Sequence, residues 1–368
     1  MKKHLFILLA LTLVCTFAAC AADNTTDDPT DDETAVEGTT YELALITDAG
    51  TIDDKSFNQG AWEGLKQYAE ENDITYKYYQ PAEVSDAAYL ETIGLAVEGG
   101  AKLIVCPGYL FEPAIYDAQY LYPDTMFIIL DGEPHTADYA TYAIEPNVNA
   151  IYFAEQQVGF LAGYASVKEG YTKLGFMGGM AVPAVVRYGY GYIAGAEYAA
   201  EELGITGLKI MYHYTGDFKA TPETQTLAGS WFNAGTEIIF GCGGAVGNSV
   251  MAAAEPVGAY VIGVDVDQSG ESDTVVISAL KNLTGAIYNS ISDYYNGEFR
   301  GGVIDHLDAT NDGVGLSMDS SKLSNFTQAD YDAIFAIIVA GEVTIPVDTD
   351  AASAAELAND AVSVTVVE

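Results

Sequence analysis

Apolar and polar positions alternate along this chain in two rhythms. Short apolar runs fit strands at 41–47, 74–79, 102–106, 125–130 and 140–144. Apolar residues at helical spacing fill 56–71, 86–98 and 111–121 between the first four. Strands that alternate with amphipathic helices predict right-handed βαβ units and a parallel sheet. A long helix is predicted at about 149–168, through Phe153, Val158, Leu161 and Ala165. A second series follows, with strands at 173–177, 208–214, 237–241, 259–264 and 274–279. Its helices fall at 184–203, 222–234, 246–255, 283–296 and 328–340. Two β-α series predict an α/β protein of two Rossmann-like lobes joined by hinge crossings. The crossings are placed near 145–149, 278–284 and 315–322. Lobe 1 is then 41–147 plus about 282–318, and lobe 2 is 148–281 plus about 319–346.

The ends of the chain break the pattern. Lys2 and Lys3 precede an apolar stretch, Leu5–Ala19, and Phe17-Ala-Ala-Cys20 then resembles a lipobox. The stretch is short for a membrane span and has the flanks of a signal peptide. Cleavage before Cys20 and lipid attachment to its sulfur are expected, with a plain secretory signal as the alternative. Residues 21–40 are acidic, Thr-rich and poor in large apolar residues, so they read as a flexible tether of roughly 25 Å. Residues 347–368 read as an acidic tail without structure.

Charge and cysteine content narrow the function. The net charge of −39 argues against nucleic acid and anionic headgroups as partners. Cys106 and Cys242 each end an apolar run, with no CxxC or Cys/His spacing, so no metal site is expected.

The candidate chemistry lies in the loops that follow the strands. In open α/β sheets, ligands bind beyond the carboxyl ends of the strands. The first such loop carries Asp48, Gly50, Asp54, Phe57 and Asn58, with Ser56 as the expected helix N-cap. Its carboxylates, amide and ring suit a small, flat, hydroxylated ligand. Taken singly, Asp53 and Asp54 also suit a helix N-terminus, and Phe57 a core position. Later strands end in Pro107-Gly-Tyr109, Asp131-Gly132, Gly178-Gly-Met180, Thr215-Gly-Asp-Phe218, Cys242-Gly-Gly244 and Asp265-Val-Asp267. Glycine lets backbone approach a ligand, and a carboxylate accepts from two vicinal hydroxyls at once.

Asp48-Ala-Gly-Thr-Ile-Asp-Asp-Lys-Ser-Phe-Asn-Gln59 resembles the N-terminal signature of the basic membrane protein (BMP) family of bacterial lipoproteins. These are purine-nucleoside-receptor-type solute-binding proteins of ABC transporters. The resemblance continues through Leu103-Ile-Val-Cys-Pro-Gly-Tyr109, Gly175-Phe-Met-Gly-Gly-Met180, Gly243-Gly-Ala-Val-Gly247, Ile262-Gly-Val-Asp-Val-Asp-Gln268 and Ser278-Ala-Leu-Lys281, and spans 41–346. It implies a periplasmic-binding-protein-like fold of type I and a purine-nucleoside site between the lobes. Carried over by motif, Phe57 and Phe218 stack on the two faces of the base, and Asn58 and Asp48 read its edges. Asp131 adds a polar contact, Gly244 brings backbone close, and Asp265 and Lys281 hold the ribose hydroxyls. Arg187-Tyr188 stands where the family has Arg-Phe, which leaves Tyr188 as the alternative second ring. The implied protein is a monomer without cofactor. It is anchored by lipid to the outer face of the bacterial cytoplasmic membrane, delivers its ligand to an ABC permease and catalyses nothing.

Other readings are weaker. Another flat hydroxylated ligand such as riboflavin, or a sensor without a transporter, is compatible with the same residues. The first loop is faintly similar to the Asp-rich loop of nucleoside hydrolases, but Gly50 replaces the second Asp that a hard cation needs. Asp265–Gly270 imitates a calcium loop whose twelfth position is Val276, and Gly189-Tyr-Gly191-Tyr-Ile-Ala194 sits inside a predicted helix where a dinucleotide turn cannot form.

Overall fold

The chain is described here from a computed structural model covering residues 40–367. Cys20 and the lipobox therefore lie outside the described residues. In chain order the elements begin β1 (Leu43–Ile46), α1 (Phe57–Glu71), β2 (Tyr76–Tyr79), α2 (Asp86–Glu98), β3 (Leu103–Pro107), α3 (Glu112–Leu121), β4 (Met126–Leu130) and β5 (Val148–Phe153). Next come α4 (Glu155–Glu169), β6 (Lys173–Gly178), α5 (Pro183–Leu203), β7 (Leu208–Tyr214), α6 (Pro222–Asn233), β8 (Ile238–Cys242), α7 (Val246–Ala254) and β9 (Tyr260–Asp265). The chain finishes with β10 (Val275–Lys281), α8 (Leu283–Asn296), β11 (Val303–Leu307), β12 (Val314–Leu316), α9 (Gln328–Val339) and β13 (Val362–Val366).

The strands make two sheets, ordered β11-β5-β4-β3-β1-β2 and β12-β10-β9-β8-β6-β7-β13. Every pair is parallel except β10–β12. Helices cover both faces of a parallel sheet, so its inner strands read as unbroken apolar runs. Leu-Ala-Leu-Ile of β1 and Ile-Ile-Phe-Gly-Cys of β8 are buried at every position. The edge strand β2, Tyr-Lys-Tyr-Tyr, is only partly buried.

The long helix starts later than its periodicity predicts. Residues 148–153 form β5, paired with β4 and β11, and α4 begins at Glu155. Val148, Ala150, Ile151 and Phe153 satisfy either period, and tertiary pairing decides between them. The Asn147 side chain donates to the carbonyls of Gln119, Tyr122 and Thr125, which pins the entry to the strand. The strand expected at 140–144 is reduced to a single bridge, His135 with Tyr142.

The sheets locate the crossings. The chain leaves the first sheet after Phe153, leaves the second after Lys281, and crosses again between Leu307 and Val314. The middle one falls where expected. The first is later than 145–149 because β5 belongs to the first sheet. The third precedes 315–322 because β12 already pairs with β10.

The tail is also corrected. Val362–Val366 adds a parallel edge strand to β7, in register from Val362 with Leu208 to Val366 with Tyr212. Its alternation is too short to stand out in an acidic stretch. Upstream, Asp348 pairs with Arg187 at 3.1 Å and the Tyr190 hydroxyl donates to the Ala351 carbonyl at 3.1 Å. Val362 is fully buried. Truncation after Pro346 is expected to cost at least roughly 2 kcal/mol, from lost apolar burial together with the opened β7 edge. A lowered urea midpoint at unchanged slope is the expected result, and an unchanged midpoint would show that the tail is not integral.

Candidate functional site

The β1–α1 loop is held by its own carboxylates. Asp54 accepts from the backbone N–H groups of Ser56, Asn58 and Gln59 at 2.8, 3.0 and 3.1 Å, which caps α1. Ser56, the expected cap, makes no capping bond. Its hydroxyl instead donates to Asp265 Oδ2, at 2.5 Å, from the end of β9 in the other sheet. Asn58 Nδ2 donates to both Asp48 Oδ1 and Asp54 Oδ2, at 2.9 and 3.0 Å. Asn58 Oδ1 accepts from the Asp48 N–H at 3.3 Å. Both donors of the Asn58 amide are thus used inside the loop, which leaves one lone pair for a ligand. Asp48 Oδ1 also accepts from Gly50 N–H at 2.8 Å.

The eight residues singled out in the sequence meet in one cleft between the two sheets. Asp48, Phe57, Asn58 and Asp131 line it from the first, and Phe218, Gly244, Asp265 and Lys281 from the second. About 610 Å³ of space lies between these side chains, open solvent included. The Phe57 and Phe218 rings are half-buried. Gly243 and Gly244 both have positive φ, and a Cβ at Gly244 would come 2.8 Å from the Phe218 carbonyl oxygen. The glycine pair therefore lets the Phe218 loop settle, as Ala245 N–H donates to that carbonyl at 2.9 Å.

Tyr188 also lines the cleft, but it is buried to 2% exposure and its hydroxyl donates to Asp265 Oδ1 at 3.2 Å. It holds the carboxylate, while the Phe218 ring keeps the more open position. Tyr109 and Cys242 also line the cleft. Tyr109 was visible in its strand-end motif, without a signal for its role.

Asp131 and Asp265 both adopt left-handed backbone, at φ 58° and 66°. That conformation is uncommon for residues other than glycine and tends to mark functional sites. Lys281, at the end of β10, reaches Asp131 Oδ2 at 2.5 Å and Glu155 Oε1 at 2.8 Å. Its ammonium also lies 4.9 Å from the centre of the Phe57 ring. Glu155, fully buried at the start of α4, accepts from Arg187 Nε at 2.6 Å. Glu155 is the residue the sequence reading missed. It looked like an ordinary first-turn helix acid.

Burial sets the protonation balance. It pushes Asp48 up to about 6, against the hydrogen bonds from Gly50 and Asn58. Burial likewise raises Asp265, with Lys281 and Ser56 opposing, and raises Asp131 against the charge of Lys281. For Glu155 burial also acts upward, but Lys281 and Arg187 outweigh it and hold the group down at about 2. Desolvation disfavours the Lys281 ammonium, yet Asp131, Glu155 and Asp265 keep it charged. Removing one partner of such a cluster strands the others. Lys281→Met is expected to destabilise the protein by roughly 3–5 kcal/mol, read as a lowered urea midpoint. A midpoint equal to wild type would mean that the carboxylates find other partners.

The family description "ABC transporter substrate-binding protein PnrA-like" (Bmp) matches residues 41–349. The chain is 29% identical to the ABC transporter nucleoside-binding protein BmpA of Lactococcus lactis subsp. cremoris, over 94% of this chain and 99% of that one. It is 30% identical to basic membrane protein A of Borreliella burgdorferi, over 83% and 87% respectively. An ABC transporter solute-binding protein from Aeropyrum pernix K1 shares the fold, with a TM-score of 0.74 at 24% identity over 84% of this chain and 94% of that one. The two-lobed α/β architecture is that of type I periplasmic-binding-protein-like solute-binding proteins. The chain belongs to the Bmp family of PnrA-like ABC transporter substrate-binding proteins.

Proposed function

We propose that this protein captures a purine nucleoside in the cleft and delivers it to the permease of an ABC transporter. The observation that carries this reading is the pairing of two half-buried rings, Phe57 and Phe218, with the strand-end carboxylates Asp131 and Asp265 in one cleft. A ring from each lobe suits the two faces of a planar base, at roughly 1–3 kcal/mol per stacked face. Asp48 Oδ1 is occupied by Gly50 and Asn58, so Oδ2 is the oxygen left to accept a base N–H. Asp131 Oδ1 is buried without a hydrogen-bond partner, an acceptor that a ligand hydroxyl would satisfy. Asp265 and Lys281 supply an acceptor and a donor for the ribose. The Lactococcus relative is a nucleoside-binding protein by name, which supports the same ligand class.

In this reading the protein performs no chemistry. Closure of the lobes buries the ligand and slows its release. Lipid on Cys20 and the acidic tether of residues 21–40 hold a monomeric body at the outer face of the cytoplasmic membrane. Among the described residues, no helix is long and apolar enough to cross a membrane.

Calorimetry on full-length protein, unfolded and refolded to strip ligand, tests the reading. Inosine, adenosine and guanosine are expected to bind, and cytidine, free ribose and riboflavin to bind at least tenfold more weakly. Phe57→Ala is expected to weaken inosine binding by roughly 10- to 100-fold, the worth of one stacked face. Asp265→Asn is expected to reduce the preference for inosine over its 2′- and 3′-deoxy analogues, because a site that bonds a hydroxyl rejects ligands that lack it. Preferred binding of riboflavin would discard the ligand, and binding of none of these would discard the reading.

The protonation of Asp48 gives a second prediction. Its pKa is raised to about 6. A base N–H needs the ionised carboxylate, so binding favours the deprotonated form and lowers that pKa further. Affinity should therefore be flat above about pH 7 and fall by up to roughly tenfold per unit below pH 6. Asp48→Asn should make this acid limb shallower, leaving the part that the raised Asp131 and Asp265 contribute. A wild-type affinity that stays constant down to pH 5 would show that Asp48 does not accept from the ligand.

A further inference from the structure

Gln268 lies beyond β9, three residues after Asp265, and is completely buried. Its amide connects the two lobes. Oε1 accepts from the Val264 N–H at 3.0 Å. Nε2 donates to the Lys55 carbonyl, in the β1–α1 loop of the other sheet, at 2.6 Å. One neighbour is a donor only and the other an acceptor only, so the orientation of the amide is fixed. Gln268 N–H donates to Ser278 Oγ at 3.0 Å, which ties the residue to β10. The amide fits because residue 263 is glycine, where a Cβ would come 2.7 Å from Gln268 Oε1.

The two backbone groups it joins are significant. Val264 immediately precedes Asp265, and Lys55 immediately precedes Ser56, the residue that bonds Asp265 across the cleft. Phe57 follows at once. Lys55 has φ 62°, a left-handed conformation that an unbranched side chain adopts only when its surroundings hold it there. Among the described residues, Lys55 also makes a partly exposed contact with Glu271, at 3.7 Å, and an N–H bond to Gln59.

We infer that Gln268 is a positioning residue for ligand binding, whose amide sets the Ser56–Phe57 segment of one lobe against Asp265 of the other. The inference rests on the nucleoside reading of the cleft. It predicts that binding depends on a donor at the end of this side chain. Gln268→Glu isolates that donor. The carboxylate keeps an oxygen for the Val264 N–H but sets a second oxygen against the Lys55 carbonyl. When protonated, it donates again.

The charged groups on the elements this amide joins are Asp54 and Lys55 on the β1–α1 loop, Asp265, Asp267, Glu271 and Asp273 at and beyond the end of β9, Lys281 at the end of β10, and Lys322, which donates to the Ser269, Ser272 and Asp273 carbonyls. Burial and the carboxylates favour the protonated acid, so the substitution should titrate within an accessible range.

The experiment compares full-length wild type, Gln268→Glu and Gln268→Met for inosine affinity and dissociation rate between pH 5.5 and 9. Hydrogen exchange of the 50–60 segment is followed without ligand at each pH. At pH 9 Gln268→Glu is expected to bind on the order of 10- to 100-fold more weakly than wild type, mostly through faster dissociation, and to exchange faster at 50–60. At pH 5.5 both differences should close. Gln268→Met, close in length but without a donor, should stay weak at every pH. Gln268→Glu equal to wild type at pH 9 in affinity and exchange overturns the inference. So does a loss that does not depend on pH, which marks a packing role. If wild type itself fails to bind inosine, the nucleoside reading falls, and the pH-dependent exchange still decides whether the amide holds the segment.

Discussion

The cleft depends on one buried ammonium. Lys281 is almost without solvent exposure and sits between Asp131 and Glu155, with Arg187 on the far side of Glu155. An ion moved out of water loses several kcal/mol of solvation, which partners must offset through close geometry. Here the partners come from two places, the loop after β4 and the first turn of α4, while the lysine itself ends β10. Two of the three chain crossings, after Phe153 and after Lys281, run directly beside this cluster. Its geometry therefore constrains the hinge and the floor of the cleft together. A packed apolar hinge would tolerate sliding, whereas paired charges tolerate little loss of distance.

The same cluster explains the protonation pattern. Glu155 lies between two cations and stays ionised well below the usual carboxylate range. Asp48, Asp131 and Asp265 have fewer cationic neighbours than their burial demands, and each is raised. Acceptors outnumber donors around the cleft. Such a site favours a ligand rich in N–H and O–H groups and disfavours anions.

Much of this was legible in the sequence because it is local. The strand and helix periods located the helices and most strands but not β5, β11, β12 or β13, and the eight residues the family resemblance singled out all lie along the cleft, beside others such as Tyr188 and Cys242. The reading failed where contacts far apart in the chain decide the outcome. Residues 148–153 fit two periods, and only pairing with β4 and β11 selects the strand. Val362–Val366 becomes a strand because β7 offers a free edge. Ser56 was identified by type but given the wrong partner. A serine before a helix resembles a cap, yet the Asp54 carboxylate takes the backbone donors and frees the Ser56 hydroxyl to reach a residue 209 positions away. Glu155 and Gln268 carried no local signal, since their partners lie on other elements.

The two strand-end aspartates show how these levels meet. Asp131 and Asp265 follow or end fully apolar strand runs, where the chain must turn at once to avoid burying unpaired backbone. Left-handed backbone makes that turn but disfavours any side chain other than glycine. Glycine at either position would relax the backbone and delete the carboxylate. Retaining aspartate therefore costs backbone strain, and the surrounding bonds must offset it. Lys281 holds Asp131, while Ser56 and Tyr188 hold Asp265. Each carboxylate is fixed in place by protein donors. A fixed acceptor loses no side-chain entropy on binding, which is the physical advantage of building acceptors on strained strand ends instead of on longer, relaxed loops.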